Sequence, residues 1–226
     1  MGWSRQVPPA RVRDCRWRGL APLVKVWITK ASLSVPQRSE TVPPFLETIV
    51  HPTDFSSASE RAFAHALAVA LVRRARLTLL HVGTEPHADW TGFPTVRAVL
   101  ERWGLLEPGS SRAAVFEKLG VRVTKRGIPS HSPAAAVVEY LHGTPADLLV
   151  VATEGRDGVA RWLHGSVAET MARRSKTMTL FVPAHSERSI VSLADGNLTL
   201  KNVLIPVDRE PDTSEAVEFA RRAAEI

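Results

Sequence analysis

The stretch DLLVVATEGRDGVARWLHGSVAE (residues 147–169) joins an apolar run to a glycine-containing segment and then to a helix-like one. A short, continuously apolar run is typical of a strand that is buried on both faces of a parallel sheet. Three glycines follow the run, and a serine comes directly after the third. The stretch therefore predicts a buried strand that ends in a loop beside the N-terminus of a helix.

The spacing of this loop is G-x2-G-x6-G-S, formed by Gly155, Gly158, Gly165 and Ser166. A helix N-terminus presents unpaired amides and a partial positive charge, which together bind anions. Glycines let the backbone turn sharply and approach a phosphate closely, and the Ser166 hydroxyl can donate to it. A structural role is the alternative, because Ser166 and Glu169 also form the S-x-x-E capping pattern. Neither G-x-G-x-x-G nor G-x-x-x-x-G-K-[ST] is present, so dinucleotide-type and P-loop sites are not expected.

Four further strand-like segments alternate with helix-like segments around this stretch. We expect the five strands at a segment ending in Pro52-Thr53-Asp54 and at residues 77–83, 121–127, 147–153 and 178–183. We expect helices after Ser57, in two pieces within 94–119 broken at Pro108-Gly109, at 133–142 and near 166–175. This order predicts a parallel α/β sheet. Ligands of such sheets bind beyond the carboxyl ends of the strands, where the strand order reverses.

The end of the first predicted strand also carries a chemical group, the carboxylate of Asp54. Asp54 is a candidate ligand-binding residue, and the alternative is that it bonds to nearby backbone amides. Ser57 and Glu60 are expected to form a capping box for the following helix. His51 and His81 lie inside strands, where we expect them to have structural roles rather than to bind a metal.

The basic charge of the chain is confined to its N-terminal arm. The whole chain has a net charge of +6, and residues 1–44 alone contain eight Lys/Arg and two Asp/Glu, which is +6. Nucleic-acid binding by the remaining residues is therefore not expected. We expect the arm to be a disordered extension, the alternatives being a transit peptide or a basic tail that binds nucleic acid or membrane. No apolar run is long enough to span a membrane, and the single Cys15 favours a reducing, cytoplasmic compartment.

The first strand and helix recur near the C-terminus. Pro52 and Asp54 match Pro206 and Asp208 within KNVLIPVDREPDTSEAVEFARRAAEI. The sequence thus predicts a domain at 45–184, a polar linker at 185–199 and the truncated start of a second domain at 200–226.

Residues 45–184 resemble a universal stress protein domain through IVHPTDFS, LTLLHV, DLLVVATEG, the glycine loop running into GSVAE, and LFVP. The resemblance implies a Rossmann-like fold of the HUP type, a five-stranded parallel sheet in the order 3-2-1-4-5 with helices on both faces. It also implies a stress-response regulator that forms a homodimer or pairs its tandem domains, without efficient enzymatic activity. ATP, with Mg²⁺ accompanying it, is the implied ligand.

The resemblance also assigns roles to residues. Asp54 would hold the ribose or adenine end, and Pro52, Thr53 and the Val82 backbone would line the base. The phosphates would be cradled by Gly155, Gly158, Gly165, Ser166 and the Val167 amide.

One departure concerns the glycine loop. ATP-binding members place nine residues between the second and third glycines, whereas this chain has six, VARWLH. Such a loop closes less far over a triphosphate and favours another nucleotide or none. The alternative function is a dimerisation or scaffold module that binds no nucleotide. An adenylyl-transferring enzyme is disfavoured, because DFSSAS follows the first strand without glycine.

Overall fold

The computed structural model describes residues 24–27, 46–85, 89–153, 167–184, 189–198, 202–205 and 217. The chain divides into two compact units. In one of them, strands β1 (Val24–Trp27) and β7 (Asn202–Ile205) pair in antiparallel fashion. Strand β1 differs from the expectation that residues 1–44 lack regular structure. The rest of the predicted second domain, apart from Val217, lies outside the described residues.

The other unit contains a five-stranded parallel sheet. Its strands are β2 (Thr48–Thr53), β3 (Arg76–Gly83), β4 (Arg122–Pro129), β5 (Leu148–Thr153) and β6 (Thr179–Pro183). They are arranged in the order β4-β3-β2-β5-β6, and all four pairings are parallel. This arrangement confirms the predicted order 3-2-1-4-5. The order reverses between β2 and β5, so their carboxyl ends mark the expected ligand position.

Helices cover both faces of the sheet. They are α1 (Ser57–Arg73), α2 (Val96–Arg102), α3 (Arg112–Leu119), α4 (Pro133–Gly143) and α5 (Val167–Ser175). Successive strand residues point to opposite faces. In β2, His51 packs on Phe63 of α1, whereas Val50 belongs to the core cluster that includes Val137 of α4 and Met171 of α5. The two pieces predicted within 94–119 are α2 and α3.

Helix α1 begins differently from the predicted capping box. Its N-cap is Ser56, whose Oγ accepts a hydrogen bond from the Ser59 amide at 3.2 Å, and Ser57 is already helical. The capping box of Ser57 and Glu60 was therefore wrong by one position. Two adjacent serines offer the same cap chemistry, and Asp54 selects Ser56 by accepting from its amide and its hydroxyl.

The Asp147 carboxylate links the residues at the starts of the two central strands, β2 and β5. Asp147 Oδ2 accepts hydrogen bonds from the amides of Glu47 and Thr48 and from the Thr48 hydroxyl, at 2.9, 2.8 and 2.8 Å. In return, the Asp147 amide donates to the Thr48 carbonyl oxygen at 2.9 Å. These bonds fix the relative position of β2 and β5, and therefore of the groups at their opposite ends.

Residues 189–198, which lie within the predicted linker at 185–199, fold against the helices. Val191 is buried, and the Trp103 indole N–H donates to the Leu193 carbonyl oxygen at 3.2 Å. The Ser189 hydroxyl lies 3.4 Å from His65 Nε2 of α1. None of the helices in the described part of the chain has the length and apolarity needed to cross a bilayer.

Candidate functional site

A cleft of about 270 Å³ lies at the carboxyl ends of β2, β3 and β5, beside the N-termini of α4 and α5. Its described lining consists of Pro52, Thr53, Asp54, Ser59, Leu80, Val82, Pro133, Val137, Val151, Ala152, Val167, Ala168 and Met171. Ligand pockets in proteins commonly measure about 300–1,000 Å³ and are mostly apolar with a few polar groups. Its position at the carboxyl ends of strands and its mostly apolar lining are typical of a small-molecule site, and its volume lies just below this range.

Five of the predicted site residues line this cleft together: Pro52, Thr53, Asp54, Val82 and Val167. They come from three separate elements, the ends of β2 and β3 and the start of α5. The remaining four, Gly155, Gly158, Gly165 and Ser166, lie outside the described residues. The structure thus places the carboxylate and the first residue of α5 at one cleft, as the sequence led us to expect.

The Asp54 carboxylate has one oxygen engaged and one available. Its Oδ1 accepts from the Ser56 amide at 3.0 Å and from the Ser56 hydroxyl at 2.6 Å. Both bonds hold the carboxylate in place beside the N-cap of α1. Oδ2 has no hydrogen-bond partner among the described residues. Asp54 therefore has the structural role given as its alternative, since it bonds to a nearby backbone amide. Its Oδ2 remains an acceptor for a ligand.

The backbone directly after Asp54 is strained at Phe55, and contacts with Thr53 and His81 support it. Phe55 has a φ of 64°, an uncommon value for a residue other than glycine. Its amide donates to Thr53 Oγ1 at 3.1 Å, and its ring stacks on His81 with centroids 4.2 Å apart. His81 Nδ1 in turn donates to the Thr53 carbonyl oxygen at 2.8 Å. The structural role predicted for His81 is confirmed, and that role is to brace the loop after β2.

His51 lies beneath the cleft and is fully buried. Its Nδ1 is 2.9 Å from the Val150 carbonyl oxygen, and its Nε2 is 3.4 Å from Ser59 Oγ. Burial lowers the pKa of His51 from 6.5 to about 4, although hydrogen bonds to Val150 and Ser59 and the Asp54 charge oppose this shift. The imidazole is therefore neutral at physiological pH. The structural role predicted for His51 is confirmed.

Sequence reasoning missed Ser59 and the apolar wall of the cleft. Ser59 is buried and lies 2.9 Å from Thr53 Oγ1, which links α1 to the cleft. Its recurrence as Ser214 in the internal repeat was a usable signal. Leu80, Val137 and Met171 form the apolar wall, but nothing in the sequence distinguishes them from ordinary core residues.

The described lining of the cleft contains few charged groups. Asp54 is the only ionisable side chain among the described lining residues. Within the described ranges, no three His, Cys, Asp or Glu side chains converge as metal ligands. At the edge of the site, the Thr153 hydroxyl is buried without a hydrogen-bond partner in the described part of the chain. Among the described residues, the backbone amides at the start of α5 are the positive group available to an anionic ligand.

Comparison with protein families identifies the domain that carries this cleft. A model of the universal stress protein family matches residues 46–183, more than half of the chain. The chain belongs to the universal stress protein family. The match covers the complete five-stranded sheet and the cleft.

The chain is similar to several curated members of this family. A universal stress protein of Mycobacterium tuberculosis is 25% identical over 193 residues, which cover 79% of this chain and 61% of that protein. One from Thermus aquaticus is 30% identical over 136 residues, which cover 60% of this chain and 98% of that protein. The chain thus spans about three fifths of the length of the mycobacterial relative.

Solved universal stress proteins also match. One, determined in complex with cAMP, is 28% identical, covers 62% of this chain and 98% of its own, and has a TM-score of 0.42. Another, from Archaeoglobus fulgidus and determined in complex with dAMP, is 18% identical, covers 62% of this chain and 99% of its own, and has a TM-score of 0.37.

Proposed function

We propose that this universal stress protein binds an adenine nucleotide in the cleft and acts as a nucleotide-responsive regulator. The observation that carries the proposal is the convergence of Asp54, at the end of β2, and Val167, at the start of α5, on one cleft. A hydrogen-bond acceptor and a source of unpaired helix amides are what the two ends of a nucleotide need. The family membership of residues 46–183 supports the same ligand class.

The lining residues fit the parts of a nucleotide. Asp54 Oδ2 and Thr53 would accept hydrogen bonds from the hydroxyl or amino groups of the nucleoside. The apolar wall of Leu80, Val137 and Met171 would pack against the base. The amides at the start of α5 would bind the phosphates, together with Gly155, Gly158, Gly165 and Ser166.

The shortened glycine loop favours a short phosphate chain over a triphosphate. Six residues separate Gly158 from Gly165, so less backbone is present to enclose the γ-phosphate. Mg²⁺, if it takes part, would arrive with a di- or triphosphate, because it commonly binds through phosphate oxygens and few protein ligands. We therefore expect AMP-like ligands to bind at least as tightly as ATP.

We propose that the protein is a binding protein rather than an efficient enzyme. Ser59 Oγ and His51 Nε2 lie 3.4 Å apart, and the two side chains resemble a nucleophile and its general base. However, a histidine with a pKa of about 4 is a weak base at neutral pH, and its Nδ1 bonds to a carbonyl instead of a carboxylate. Hydrolysis of bound nucleotide would be slow and incidental.

The proposal is tested by titrating the full chain with AMP, ADP, ATP and cAMP in a calorimeter. Asp54→Ala should weaken nucleotide binding by roughly tenfold, the effect of losing a charged hydrogen-bond acceptor. Asp89→Ala is the matched control, because Asp89 accepts from the Thr91 amide and hydroxyl as Asp54 does from those of Ser56. Asp89 does not line the cleft, so this variant should bind like the wild type.

Two further variants test the phosphate end. Gly165→Val and Ser166→Ala should weaken binding of AMP more than binding of adenosine. If the unmodified chain binds none of the four nucleotides at millimolar concentration, the proposed function is wrong.

A scaffold role without nucleotide is the second candidate. Strand β6 lies at an edge of the sheet, and within the described ranges no other strand pairs with its outer side. We propose that this edge forms a homodimer or pairs tandem domains, and that NVLIPVD begins such a second domain. Light scattering after size exclusion, with and without AMP, would show whether the assembly is dimeric and whether the nucleotide alters it.

A further inference from the structure

Strand β4 lies at an edge of the sheet, and within the described ranges no other strand pairs with its outer side. It spans eight residues, all in register with β3, from Arg122 opposite Arg76 to Pro129 opposite Gly83. Six of the eight are exposed. Proteins usually shorten, bend or cover such an edge, because its backbone groups can pair with another strand. Strand β4 therefore has the length and regularity of a docking strand.

One hydrogen bond shows which backbone groups of β4 point to the outer side. The amide of Ser130, directly after β4, donates to the Gly83 carbonyl oxygen of β3 at 2.7 Å. The N–H and C=O groups of one strand residue point to the same side, and successive residues alternate. The even-numbered residues of β4 therefore bond to β3 with their backbone. Val123, Lys125 and Gly127 present theirs to the outer side.

Three cations stand on this edge, and residues 121–130 contain no Asp or Glu. They are the exposed Arg122, Lys125 and Arg126, and none of them forms an ion pair with a described residue. Lys125 is in register with Leu79, on the α1 face of the sheet. Arg126 is in register with Leu80, which belongs to the core cluster on the α4 face. The cations therefore flank the edge on both faces.

Two of these cations are held on aromatic rings. The Arg122 guanidinium carbon lies 4.4 Å from the centroid of the Phe116 ring. The Lys125 amine lies 4.6 Å from the centroid of the Trp90 ring. Such cation–π contacts position a charge without neutralising it. Burial and the charge of Arg112 lower the pKa of Lys125, and no described carboxylate opposes this shift.

We propose that β4 is a docking edge for an acidic peptide segment, which adds to the sheet as a sixth strand. The peptide backbone pairs with the outward groups of β4, and its carboxylates bind the cations. The positions of the cations define the spacing of the acids. One acid lies opposite Arg122, and two adjacent acids, on opposite faces, lie opposite Lys125 and Arg126. The spacing is E-x-x-E-E in a parallel strand and E-E-x-x-E in an antiparallel one.

A second copy of this chain does not fit the β4 edge. Two paired β4 edges would place like charges opposite each other, which is destabilising. The other edge strand, β6 (Thr179–Pro183), contains no ionisable side chain, so the two edges differ in chemistry. Charged side chains also deter strand pairing in general. An edge with that role alone would bind no acidic peptide, and this difference can be measured.

The experiment measures the binding of fluorescent nine-residue peptides to the full chain by anisotropy. The probes T-V-E-V-T-E-E-V-T and T-V-E-E-T-V-E-V-T contain the two spacings and have the same composition. A control peptide, T-V-K-V-T-K-K-V-T, reverses the charge. Each acidic probe is also made with its three central residues N-methylated, which keeps the charge and blocks strand pairing. A short oligothymidylate serves as a polyanion of another class.

Two charge-reversed variants are compared with the wild type. Lys125→Glu/Arg126→Glu is the test variant. Arg174→Glu/Lys176→Glu is its matched control, because both cations are exposed and lie where α5 ends and the chain leads to β6, at the other edge. The two variants change the net charge equally. Urea unfolding checks that each is folded.

We expect at least one acidic probe to bind the wild type with a Kd below about 1 mM. N-methylation of that probe and the test variant should each weaken binding by roughly tenfold or more, whereas the control variant should bind like the wild type. The test variant should bind the lysine peptide more tightly than the wild type does. The bound probe should slow hydrogen exchange at the Val123, Lys125 and Gly127 amides, because they become hydrogen-bonded.

Four results would overturn the inference. They are no binding of either probe to the wild type, equal binding of a probe and its N-methylated form, and equal losses in the test and control variants. The fourth is tighter binding of the oligothymidylate than of either probe with a loss in the test variant, which would assign the edge to nucleic acid. The peptide comparisons use the wild type, so they remain decisive if a variant does not fold. Strand β4 contributes none of the described cleft lining, so this proposal and the proposed nucleotide binding fail separately.

Discussion

Burial of His51 should make the stability of this domain fall as the pH is lowered. The pKa of His51 is about 4 in the folded protein and 6.5 as the ordinary value, because the buried ring is neutral. Between these values the unfolded chain binds a proton that the folded chain does not. The free energy of unfolding therefore rises with pH through this window and falls as the solution is acidified.

The size of this loss of stability follows from the shift in the pKa of His51. Each pKa unit corresponds to about 1.4 kcal/mol, so stability should fall by about 2 kcal/mol from pH 7 to pH 5 and by about 3 kcal/mol at pH 4. This loss is a large fraction of the stability of an ordinary domain. It should be visible as a lower urea midpoint at each successive pH.

The assay is urea unfolding of the full chain without nucleotide at pH 4, 5, 6 and 7, for the wild type and His51→Leu. The difference between the two curves isolates the histidine, because carboxylates contribute equally to both. Burial also lowers the pKa of His65, so His65 too makes the stability fall as the solution is acidified. The reasoning is refuted if the difference between wild type and His51→Leu is constant from pH 7 to pH 4.

Substitutions at three other positions test the fold, each by urea unfolding at pH 7. Asp147→Ala should cost about 2 kcal/mol through the loss of three hydrogen bonds between the β2 and β5 entries, while Asp147→Asn, which keeps an acceptor oxygen, should cost less. Phe63→Ala should cost about 4 kcal/mol, because its ring is fully buried; a cost below 1 kcal/mol would contradict the packing. Lys176→Gly should stabilise by about 1 kcal/mol, because Lys176 is exposed with a φ of 55°; destabilisation would contradict the αL assignment.

The strands and helices were predictable because each is encoded locally. Leu148–Val151 form an uninterrupted apolar run, and burial on both faces of the sheet requires such a run. The strand order was available only through the family resemblance, since periodicity does not tell which strand pairs with which. The position of Asp54 in the cleft followed from the order, because parallel strands present their carboxyl ends at one edge.

Features that depend on distances between elements could not be read from the sequence. The contact of Ser59 with His51 depends on how closely α1 packs on β2. The packing of residues 189–198 was hidden by their polar composition, because Val191 alone supplies the buried side chain and Trp103 is far away in sequence. The N-cap of α1 was ambiguous among neighbouring serines until Asp54 was placed.

The wide sequence separation of the cleft residues has a consequence for folding. Asp54 and Val167 stand 113 positions apart (54 to 167), and β3 and α4 contribute lining from the interval. No short fragment contains the cleft, so a ligand that enters it binds only the completely assembled sheet. By mass action such a ligand raises the free energy of global unfolding by RT ln(1 + [L]/Kd), which is about 2.7 kcal/mol at a hundred times its Kd. With the proposed nucleotide as that ligand, the lifetime of the folded molecule in a cell would depend on the nucleotide concentration.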